Sequence, residues 1–103
     1  MDELTRSIKV LRSNGQKLAE AEKDYKMILR QEALKLRAND MPVTLINSIV
    51  YGIPEVAEKR FKRDVEEATY TANQEHINVT KLKLRILENQ LAREWGNAGK
   101  GDL

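Results

Sequence analysis

From Leu4 onward, apolar residues recur as Leu4, Ile8, Leu11, Leu18, Tyr25, Leu29 and Leu36, at steps of three, four or seven that keep to one face of an α-helix. Gly15 falls on this seam between Leu11 and Leu18, with Ala19 and Ala21 beside it. The small residues allow a second helix to come close, whereas Ser13-Asn14-Gly15 would break the helix if glycine's cost of about 1 kcal/mol relative to alanine were decisive. The first helix is expected over residues 3–38. Asn39-Asp40-Met41-Pro42 ends it, because these are turn formers followed by a proline that pushes Met41 out of the α region.

A short helix over 44–51 is expected next, capped by Thr44 and closed by Gly52 in a left-handed conformation. Pro54 then opens a last helix over 54–95, with Glu55 and Glu58 in its first turns, Arg93 near its end and Gly96 as its stop. Its early stripe reads Val56, Ala57, Phe61, Val65, Ala68 and Ala72. Farther on, Ile77, Val79, Leu82, Leu84, Ile86, Leu87, Leu91 and Trp95 spread around more than one face. The expected fold is all-α: a long antiparallel, coiled-coil-like hairpin with a short connecting helix, one domain over 1–96 and a flexible tail over 97–103. Two helices cannot cover that much apolar surface, so Leu84, Leu87, Leu91 and Trp95 are candidate interface residues of a helical-bundle oligomer. The connector supplies Ile46, Ile49, Val50 and Tyr51, which either plug the end of the bundle or grip another subunit or a different protein.

Composition agrees with helix: 33% of residues are charged, with five glycines and two prolines in 103 residues. Glu22 with Lys26, Glu55 with Lys59 and Glu58 with Lys62 are spaced to pair along helix faces. A net charge of +2 is too small for bulk attraction to nucleic acid or membrane. The acidic opening Met1-Asp2-Glu3 and the lack of a membrane-length apolar run lead to the expectation of a cytoplasmic protein without membrane association. Asn78-Val79-Thr80 matches a glycosylation sequon but falls inside a helix.

Candidate chemistry is sparse. One histidine and no cysteine supply neither a nucleophile with its base nor a thiolate metal site. His76 lacks a ligating partner one turn away, and Glu66 and Glu67 project about 100° apart, as solvated carboxylates would. Gly96-Asn97-Ala98-Gly99-Lys100-Gly101 has the wrong spacing for a phosphate loop. No enzyme, cofactor or metal is expected. Lys59, Arg60, Lys62 and Arg63 form the best nucleic-acid candidate, interrupted by Phe61 and flanked by Glu58, Asp64, Glu66 and Glu67. The ordinary alternative is a solvated face with Phe61 turned into the core. Lys81, Lys83 and Arg85 make a second, weaker basic spot.

The patterns Glu3-Leu4, Ile8, Leu11-Arg12, Ala19-Glu20-Ala21-Glu22, Tyr25-Lys26, Pro42-Val43, Tyr51-Gly52, Glu55-Val56-Ala57 and Leu91-Ala92-Arg93-Glu94-Trp95-Gly96 are spread along the chain. Together they resemble small uncharacterised helical proteins of phages and prophages of Gram-positive bacteria. The resemblance covers nearly the whole chain. It implies an accessory protein, in the cytoplasm of a bacterial host, that modulates a host or phage replication or recombination factor. Self-association is expected from the uncovered apolar surface, and nucleic-acid binding through the Lys59 to Arg63 cluster is the alternative. It carries over no functional residues.

Overall fold

A computed structural model describes residues 2–101, with side chains for 2–96. Three α-helices follow in order: α1 Asp2–Ala38, α2 Val43–Ile49 and α3 Pro54–Gly101, with a single 3-10 turn at Val50–Gly52 between the last two. No strand occurs among the described residues. Tyr25 meets Arg63 and Gly15 meets Tyr70, while Ser7 and Val10 line a depression with Asn73 and His76. Numbers fall on α1 as they rise on α3, so the pair is antiparallel. The molecule measures 87 × 25 × 14 Å. Since a helix with its side chains is about 10–12 Å across, this is one layer of two rods.

α1 runs unbroken through Gly15. A Cβ there would lie 3.2 Å from Tyr70 Cε2, so the glycine serves close approach and does not end the helix. The helix ends in a Schellman motif: Met41 N–H donates to Leu36 O at 3.3 Å and Asp40 N–H to Arg37 O at 3.0 Å. Asp40 holds φ at 60°, the left-handed region that glycine enters without a Cβ penalty.

The connector differs from the sequence expectation in its caps. α2 starts at Val43 behind Pro42, whose carbonyl accepts from the N–H groups of Leu45 and Ile46, each at 3.0 Å. Thr44 therefore caps nothing, and its own carbonyl accepts from Ser48 Oγ at 3.2 Å. Gly52 is not left-handed, because the chain tightens into the 3-10 turn and Ile53 N–H closes it on Val50 O at 3.3 Å. Ile53 is extended, its carbonyl accepts from Ala57 N–H at 2.9 Å, and Pro54 takes the first helical position, where its missing N–H costs nothing.

α3 passes Gly96 and continues to Gly101. Gly96 lacks a positive φ and so provides no left-handed stop. The tail expected over 97–103 is thus helical backbone as far as Gly101, and Asp102 and Leu103 lie outside the described residues.

Replacing Asp40 with glycine removes the left-handed penalty at the end of α1. Asp40→Gly is expected to raise unfolding stability by about 0.5–1 kcal/mol, read as a higher urea midpoint at unchanged slope. A lower midpoint would show that the Asp40 side chain itself holds the turn.

Candidate protein interface

The face that α3 turns toward α1 is not its apolar stripe. Residues buried or half-buried along α3 are Val56, Lys59, Arg63, Glu66, Tyr70, Asn73, Ile77 and Thr80, spaced alternately by three and four, as in a coiled-coil seam. The opposing seam on α1 is Leu4, Ser7, Leu11, Asn14, Leu18, Ala21, Tyr25, Ile28 and Glu32. Ile8, assigned to the core by its spacing, is 41% exposed, while Ser7 and Asn14 take inward positions. Glu66 is half-buried and only Glu67 is solvated.

A seam this polar holds together by local compensation. Arg63 lays its guanidinium over the Tyr25 ring, 4.7 Å from the centroid, an arrangement in which the ring's negative face attracts the cation. The same group donates to Asp64 Oδ1 from Nε at 3.0 Å and from Nη2 at 2.8 Å. That hydrogen bond raises the Arg63 pKa above its ordinary value against the opposing effect of desolvation. Asn14 is less well served, for its Nδ2 is buried without a hydrogen-bond partner. A buried, unpaired amide costs about 1–3 kcal/mol.

The basic cluster is divided by the same geometry. Lys59 and Arg63 are half-buried on the α1 side, Arg60 sits 5.7 Å from the Tyr51 ring centroid, and Lys62 points to solvent. Phe61, expected in the core, is 70% exposed. The reason is helical phase: once Val56, Arg63 and Tyr70 face α1, residue 61 lies on the far side. None of the expected Glu22–Lys26, Glu55–Lys59 or Glu58–Lys62 pairs forms. The ion pairs among the described residues are Glu32–Lys35 and Asp64–Arg63.

Connector residues separate into two roles. Ile46 and Val50 are buried and plug the end of the hairpin, whereas Ile49 and Tyr51 are somewhat less than half exposed. Beside them an open groove of about 880 Å³ runs between α1 and the connector. Met27, Leu29 and Val50 provide apolar lining, with Lys23, Lys26 and Arg30 among its polar residues.

Two further apolar surfaces lie on α3. On its outer face Phe61, Val65, Ala68, Ala72, Val79, Leu82 and Ile86 form a stripe that is exposed throughout. Beyond Thr80 the inner seam continues as Leu84, Leu87 and Leu91, but α1 has run out and every residue from 81 to 96 is exposed. Trp95, at 78% exposure, ends this overhang.

His76 lines a shallow depression with Asn73, Arg6, Ser7 and Val10, and its carbonyl accepts from Thr80 Oγ1 at 2.9 Å. Among the described residues no cluster of His, Asp or Glu could hold a metal ion, and no helix is long and apolar enough to cross a membrane. Comparison with protein-family models, curated proteins and solved structures finds no match.

The inward seam of α3 is hard to find in the sequence because only Val56, Tyr70 and Ile77 advertise it. A usable signal was the pairing of Gly15 with a bulky residue across the hairpin. Removing the orphaned amide tests the seam: Asn14→Leu is expected to stabilise the protein by about 1–2 kcal/mol in chemical denaturation. A loss of stability would mean that Asn14 makes a stabilising interaction in solution.

Proposed function

We propose that this is a non-enzymatic helical accessory protein that acts by self-association and by binding a protein partner. The observation that carries the reading is the surface of α3. Its inner seam is only partly apolar, while its outer stripe and the Leu84, Leu87, Leu91 overhang face solvent. Burying one such side chain stabilises by about 1.5–3 kcal/mol, and large apolar side chains exposed in a row along one helix mark an association surface. The stripe takes another copy of the chain. The overhang, an open half of a two-stranded seam, takes an apolar helix from a partner, with Ile49 and Tyr51 as a second point of attachment at the other end.

The setting of this role rests on the resemblance to phage and prophage proteins, and the partner we propose is a replication or recombination factor of phage or bacterial host. The nucleic-acid alternative draws less support, because Lys59 and Arg63 are committed to the hairpin and leave Arg60 and Lys62 as the outward cations of the cluster.

Light scattering is expected to give a mass at least twice the 11.8 kDa of the chain. A Val65→Glu/Leu82→Glu double variant is expected to return to one chain's mass with helical circular dichroism unchanged, since both side chains are about half exposed. A wild-type protein that stays at 11.8 kDa at high concentration would refute self-association. Strongly salt-dependent DNA binding that is lost on charge reversal of Arg60 and Lys62 would carry the nucleic-acid reading instead.

A further inference from the structure

We propose that the second copy docks antiparallel on the outer stripe of α3, with Phe61 against Ile86, Val65 against Leu82 and Ala68 against Val79 of the other copy. This rests on the self-association reading and adds its orientation and register.

The stripe has definite ends. Phe61, Val65, Ala68, Ala72, Glu75, Val79, Leu82 and Ile86 recur at alternating steps of four and three, and all are exposed. One step before Phe61 the position is Glu58, and the next steps after Ile86 are Asn89 and Arg93. The apolar length is therefore roughly 40 Å at 1.5 Å per residue. Two identical stripes overlap completely in only two ways: parallel in register, or antiparallel with Phe61 opposite Ile86. The outer face is free of α1 along its whole length, so neither alignment is blocked by the hairpin.

Charge decides between them. In the parallel alignment Glu75 stacks on Glu75 of the other copy within the apolar contact, and the residues flanking the stripe offer no pair of opposite charges. Antiparallel, Glu75 lies opposite the small Ala72 of the other copy and is staggered from that copy's Glu75 by three residues, roughly 4.5 Å along the axis, so the two carboxylates no longer stack and each can reach solvent. Asp64 then flanks Arg85 of the other copy, twice by symmetry, and its side chain is 53% exposed beside Arg63. On the other flank Lys62 approaches Lys83. Both are exposed and can keep their ammonium groups in water on long flexible stems. Like charges held inside an interface are costly while rim charges matter little, so Glu75 outweighs the lysines.

The chain has no cysteine, which makes disulfide mapping direct. Chains carrying Val65→Cys and Leu82→Cys, mixed and oxidised, are expected to give at least about tenfold more disulfide-linked dimer than either variant gives alone, because a disulfide needs Cα atoms within ~7 Å. In this register position 65 of one copy lies roughly 25 Å from position 65 of the other, so Val65→Cys cannot bridge to itself. Ala68→Cys mixed with Val79→Cys is expected to behave the same way. A dimer by light scattering in which each single variant cross-links to itself would overturn the orientation and leave self-association standing. Monomeric mass with no cross-linking would overturn both.

Discussion

The structure depends on one narrow contact, the seam along which α1 and α3 touch. Its buried apolar members on the two long helices are Ala21, Tyr25, Val56 and Ile77, and Asn14 is buried among them. The remaining positions are half-buried and many are polar, so the pair gains less from burial than two helices of this length usually do. Specificity comes from shape and local pairing: Gly15 admits Tyr70, and Arg63 covers Tyr25 while held by Asp64. Ile46 and Val50 close one end, and the other end is left open where α3 outruns α1.

A weak seam and a strongly apolar outer face belong to the same design. Residues that would normally fill the hairpin core, such as Phe61, Val65, Leu82 and Ile86, point away from it, and placing them there costs intramolecular stability unless something covers them. The polar members of the seam also steer α3 into one rotational phase, since a rotation that buried Phe61 would expose Ile77 and Tyr70 and release Arg63 from Tyr25. In the proposed association the hairpin is half of a larger helical assembly; what the fold itself shows is an outer stripe and an overhang that α1 leaves exposed.

Much of the architecture was legible in the residues. The two long rods, the stop at Ala38, the short connector helix and Pro54 at the start of α3 follow from periodicity and from proline and turn chemistry. The excess of apolar surface around Leu84, Leu87 and Leu91 was also legible, and these residues are exposed. The phase of α3 was not. A helix with two stripes presents a choice, and apolarity favours the stripe containing Phe61, whereas the packed one contains Lys59, Arg63 and Glu66. The caps depart from expectation for a related reason: a carbonyl from Pro42 replaces a hydroxyl from Thr44, and a 3-10 turn replaces a left-handed glycine. Such choices are settled by neighbours distant in sequence.

If covering α3 is part of folding, stability must depend on how much protein is present. Thermal unfolding followed by circular dichroism across a hundredfold range of chain concentration measures this directly. Linked association predicts that the midpoint climbs by several degrees over that range, since mass action adds about 2.7 kcal/mol per hundredfold. A midpoint that stays constant would mean that the lone hairpin is the folded unit and that its outer stripe needs no second chain.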